Sequence, residues 1–84
     1  MNQVVRPFYL SLMPKEVVIY NRIKATIALK RTSSKALAEY LGINPQTVSS
    51  WCTNNRQPRL DELYAIARFL EVSPHDLLEP VKKP

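Results

Sequence analysis

The side chains best suited to recognition chemistry lie close together between residues 44 and 56. Gln46, Thr47, Ser49 and Ser50 crowd neutral hydrogen-bonding groups into one short stretch, and Asn44, Asn54, Asn55 and Arg56 flank it. A glutamine amide donates and accepts in one plane, a hydroxyl does either, and an arginine fork only donates. Such a set suits reversible recognition of a polar, anionic surface. Bond-making chemistry lacks its parts. Cys52 has no Cys or His neighbour at metal-ligand spacing, His75 stands alone, and the single glycine, Gly42, cannot build a phosphate-cradling loop. The sequence predicts no enzyme, no metal and no cofactor.

The charge distribution points the same way. Of the 84 residues, those from 22 to 59 include seven bases (Arg22, Lys24, Lys30, Arg31, Lys35, Arg56 and Arg59) against one acid, Glu39. From residue 60 onward three bases face five acids, so most of the formal net charge of +5 sits beside the hydrogen-bonding cluster. This is the pattern of an electrostatic footprint on phosphates. A chain this short supports one domain, and its single cysteine rules out an intramolecular disulfide, so packing must hold the core. No run approaches the roughly 18 apolar residues of a membrane span, and no signal-peptide pattern opens the chain, which makes a cytoplasmic protein without membrane contact the expectation.

The elements that must position the cluster follow from apolar spacing. Ile19, Ile23 and Ile27 recur at i, i+4 and i+8 and predict a first helix over residues 20–30. Leu37, Ala38 and Leu41 mark a second helix, Val48 and Trp51 a third, and Leu63, Ile66, Ala67 and Leu70 a fourth with the clearest stripe. Leu77 and Leu78 anchor a short last helix. Cap residues fall at the boundaries: Ser33 before the second helix, Asn44 and then Pro45 at the third, and Ser73, Pro74 and Asp76 at the last, while Asp61 and Glu62 suit the first turn of the fourth. The expected fold is all-α, a compact five-helix domain over residues 20–79, with a frayed tail at 80–84. Residues 1–19 form an N-terminal arm: Val4, Val5, Phe8, Tyr9, Leu10, Leu12 and Met13 are apolar, but Pro7 and Pro14 interrupt any helix. An arm across the domain, a short strand and a dimer contact all remain open for it.

The segment SKALAEYLGINPQTVSSWC, residues 34–52, places a short helix, a glycine turn and a second capped helix in succession. Leu37, Leu41, Ile43, Val48 and Trp51 supply a shared interior, Ala38 is small enough for a close crossing, and Gly42 can take the left-handed conformation of the turn. Any pair of amphipathic helices would explain the apolar residues, but not the coincidence of small alanine, sole glycine and Asn-Pro cap. Together with NRIK, the NNRQP loop, LDELYAIARFLEVS and the closing HDLL, the segment resembles the Cro and phage-repressor type of helix-turn-helix regulators, the XRE family. The resemblance covers about residues 21–78. It implies a λ-repressor-like domain of five helices, homodimeric binding to a palindromic operator in double-stranded DNA, and a role as repressor, activator or antitoxin-type autoregulator.

On that resemblance the third helix enters the major groove with Gln46, Thr47, Ser49 and Ser50 toward the bases. Gln46 is the foremost reader, because its amide matches the adenine edge. Phosphate contacts are expected from Ser34, Lys35, Asn44, Asn54, Asn55, Arg56 and Arg59. Several positions depart from the family pattern. Ser34 replaces a longer glutamine, Arg59 is a poor N-cap, and Arg31 stands where the first helix commonly ends in glycine, although its charge suits a helix C-terminus and can reach a phosphate. The alternative reading is a protein-interaction module whose N-terminal arm engages a partner protein.

Overall fold

Four amphipathic stretches close into α-helices: α1 at Ile23–Leu29, α2 at Ser34–Leu41, α3 at Pro45–Cys52 and α4 at Leu60–Leu70, followed by a 3-10 turn at Pro74–Leu77. This is a computed structural model, and it describes residues 18–81. Each helix turns its apolar stripe inward. Ile23 and Ile27, Leu37 and Ala38, Val48 and Trp51, and Leu63, Ile66, Ala67 and Leu70 meet with Leu77 in one core. Complete burial of a Leu, Ile or Val side chain contributes about 1.5–3 kcal/mol, so these residues carry most of what holds four short helices together. Among the described residues no helix is long and apolar enough to cross a membrane. The apolar arm residues Val4 to Met13 lie outside the described residues.

Two expectations need correction, and one cause accounts for both. The fifth helix is a 3-10 turn of four residues, because Leu78 is already extended at φ −105° and ψ 140°. The chain there pairs with the approach to α1. Arg22 N–H donates to the Leu77 carbonyl at 2.8 Å and Glu79 N–H to the Tyr20 carbonyl at 2.8 Å, with an antiparallel bridge between Asn21 and Leu78. The same pairing delays α1, which begins at Ile23 and not at residue 20. Ile19, placed by periodicity on the buried face of that helix, is instead 54% exposed.

The helix ends behave as their residues dictate. The Ser33 hydroxyl accepts from Ala36 N–H at 3.0 Å, and the Asn44 side chain accepts from Gln46 N–H at 2.8 Å ahead of Pro45. Helix α4 is capped by Arg59, whose side chain offers no acceptor. There Glu62 reaches back and takes the Arg59 N–H at 2.7 Å. Gly42 ends α2 at φ 69°, and Ile43 N–H returns to the Ala38 carbonyl at 3.0 Å. Arg31 and Glu71 hold the same left-handed conformation, at φ 56° and 58°, without glycine's freedom.

A Cβ on Gly42 would meet nothing within 4 Å, so the turn requires glycine for conformation alone. Gly42→Ala is expected to lower the free energy of unfolding by about 1 kcal/mol in urea denaturation, and Gly42→Asn, a residue that tolerates positive φ, by less.

Candidate nucleic-acid interface

Helix α3 is clamped on one side and bare on the other. Val48 and Trp51 are 0% and 2% exposed, while Gln46 and Ser49 face solvent and Thr47 and Ser50 lie half-buried on the flanks. Val48 and Trp51 are one helical turn apart, which fixes both the axis and the rotation of α3. Gln46 therefore projects away from the core by helical geometry, with Ser49 and Ser50 to either side of it. The four expected base-reading residues thus come together around one exposed face. Thr47 N–H bonds to the Asn44 carbonyl at 3.0 Å, so the start of this face is locked to its cap.

The residues expected at phosphates fall into four groups. Lys35, Asn55 and Arg56 are exposed around α3, and neither base forms an ion pair among the described residues. Asn44 is exposed with its Oδ1 used as the cap of α3 and its Nδ2 turned to no partner among the described residues. Ser34 is half-buried, its hydroxyl 3.6 Å from the Cys52 sulfur, which brings the start of α2 against the end of α3.

Arg59 and Asn54 are already engaged. The Arg59 guanidinium reaches Asp61 at 3.2 Å and Glu62 at 3.8 Å. Its hydrogen bonds hold the Asp61 carboxyl below its ordinary value, and the guanidinium is shifted up in return, so the pair stays charged and mutually neutralised at neutral pH. Asn54, at φ 61°, spends its amide inside the fold. Its Oδ1 accepts from Tyr20 N–H at 2.8 Å and Asn21 N–H at 2.9 Å, and its Nδ2 donates to the Asn21 carbonyl at 3.2 Å.

Sequence reasoning missed the other half of this clasp. Asn21 is 4% exposed, and its Nδ2 donates to the Trp51 carbonyl at 3.0 Å and to Gln57 Oε1 at 2.7 Å, while its Oδ1 accepts from Ile23 N–H at 3.0 Å. It ties the approach to α1 to the last turn of α3 and to the loop that follows. The available signal was an asparagine just ahead of an apolar periodic stretch, a helix-start residue that a start at residue 20 concealed. Among the described residues no three His, Cys, Asp or Glu side chains gather to hold a metal.

Residues 22–83 match the family model of the Cro/C1-type HTH DNA-binding domain. Among solved structures, a candidate DNA-binding protein from Bacteroides fragilis is 40% identical at a TM-score of 0.71, over 74% of this chain and 100% of that one. A transcriptional regulator from Listeria innocua is 20% identical at a TM-score of 0.59, over 79% of this chain and 65% of that one, a likeness of fold alone. No curated protein matches the chain.

Asn54→Gly preserves the relaxed left-handed backbone while deleting the clasp. It is expected to lose on the order of 1–3 kcal/mol in urea denaturation, because the Tyr20 and Asn21 amides lose their acceptor. Asn54→Ala adds a conformational penalty and should lose more.

Proposed function

This chain belongs to the Cro/C1-type helix-turn-helix DNA-binding family, and from that premise we propose that it regulates transcription by inserting α3 into the major groove of double-stranded DNA. The observation that carries the reading is the exposed face of α3 centred on Gln46, set rigidly by the burial of Val48 and Trp51. A neutral face of one amide and three hydroxyls is suited to base edges. The Gln46 amide pairs with the N6 and N7 positions of adenine, and the Thr47 methyl and the Ser49 and Ser50 hydroxyls serve neighbouring positions. Lys35, Asn44, Asn55 and Arg56 hold the helix in register through phosphates, with Ser34 in a shorter-range role. Arg59 contributes little while Asp61 and Glu62 neutralise it, and Asn54 acts by shaping the loop.

One such helix reads too few base pairs to bind tightly, so the chain acts as a homodimer on a palindromic operator. The exposed apolar residues of the two paired chain ends, Ile19 and Tyr20 with Leu78, offer a contact for the second copy. They adjoin the α3–α4 loop through Asn54, which sets the proposed contact next to the end of the reading helix. The same patch would serve a partner protein in an antitoxin-type role.

Selection from random duplex DNA is expected to enrich two inverted half-sites about one helical turn apart. A lone half-site occupied by a monomer would overturn the dimer. Gln46→Ala should reduce the discrimination at one base position by about 1–3 kcal/mol. By contrast, Arg56→Ala should weaken selected and unrelated duplexes alike and reduce the salt slope by about one, with Arg59→Ala changing that slope less.

A further inference from the structure

At Arg31 the chain holds a base at some conformational expense. Its N–H donates to the Ala28 carbonyl at 3.1 Å and the next amide, of Thr32, to the Ile27 carbonyl at 3.1 Å, a helix-ending turn that requires φ near the observed 56°. Glycine adopts this conformation freely and arginine does not. Glu71 shows that the fold tolerates the same strain elsewhere, at φ 58°, so strain by itself assigns nothing to Arg31.

What distinguishes Arg31 is its surroundings. No acid occurs between Arg22 and Ala38, and the α1–α2 turn with the first turn of α2 presents Lys30, Arg31 and Lys35, all exposed. None of the three forms an ion pair among the described residues, whereas Arg22 is held by Glu79 at 3.4 Å and Arg59 by its two carboxylates. The turn also lies beside the reading helix. Ser34, three residues on, touches Cys52 at the end of α3, and Lys24 and Ala28 of α1 line a shallow groove with Cys52 and Asn54. A guanidinium here has no ion-pair partner among the described residues and only the weak pull of the α1 C-terminus, and it sits three residues before Ser34, which meets the end of α3.

We propose that Arg31 is a phosphate anchor, a fork-shaped donor that grips the DNA backbone beside α3 and compensates for the short reach of Ser34. Its planar fork suits two oxygens of one phosphate, which a lysine cannot match. This rests on the DNA-binding reading above.

The test compares wild type, Arg31→Gly, Arg31→Gln and Glu71→Gly for urea denaturation midpoint and for affinity, across salt, toward the selected operator duplex and a duplex of unrelated sequence. Both glycine variants should raise the midpoint, since each relieves a positive φ. Arg31→Gly and Arg31→Gln should bind both duplexes severalfold more weakly and with a salt slope smaller by about one, while Glu71→Gly binds as well as wild type. Arg31→Gln keeps the backbone strain, so its loss would come from the missing charge and not from a loosened turn. Wild-type affinity and slope in both Arg31 variants would overturn the anchor while leaving the DNA-binding reading intact. Failure of the wild type to bind either duplex at low salt would remove that reading and the anchor together.

Discussion

The side-chain amide of Asn54 sits on the backbone of Asn21 as a neighbouring strand would, accepting from its N–H and donating to its carbonyl. Asn21 in turn sends its own amide to the Trp51 carbonyl and Gln57. Four segments meet at this point: the approach to α1, the last turn of α3, the α3–α4 loop and, through the bridge to Leu78, the end of the described chain. Burying this much polar surface is tolerable because every group finds a partner; among the described residues no buried side-chain nitrogen or oxygen is left unpaired. Without the clasp the hydrophobic contacts of Trp51 would still hold α3 against the core, but the loop beyond it would keep only its local backbone hydrogen bonds to Ser49, Ser50 and Trp51 and lose its tie to the approach to α1.

That arrangement divides labour within the helix pair. Apolar residues set where α3 lies, and the asparagines set where its flanks lie. The role proposed for α3 needs both, since base edges discriminate only when the backbone contacts on either side hold the register. The positive charge is partitioned in the same spirit. Arg22 and Arg59 are tied to carboxylates and act within the fold, whereas Lys30, Arg31, Lys35 and Arg56 remain without ion-pair partners among the described residues. Counting bases along the chain cannot make this distinction, because an ion pair is a matter of which side chains meet.

The comparison of Arg59 with Asn54 shows how far residue type carries. Both were legible as plausible phosphate ligands from their chemistry and position beside α3. Arg59 met two acids two and three residues on, a local event that Asp61 and Glu62 in sequence already allowed. Asn54 met backbone more than thirty residues distant, and no local pattern announces such a partner.

The sequence by itself determined the helix-turn-helix. The bounds of α2 and α3, the start of α4, the cap residues Ser33 and Asn44, the glycine turn at Gly42 and the inward faces of Leu37, Val48 and Trp51 all follow from interactions within a few residues, which a linear pattern records. Tertiary structure decided the two ends of the domain and the use of its asparagines. Residues 20–22 stay outside α1, and the chain turns extended at Leu78, because the two segments exchange backbone hydrogen bonds that a helix would have consumed internally. That exchange depends on distant segments arriving side by side, a condition set by the packed core and by no local run of residues.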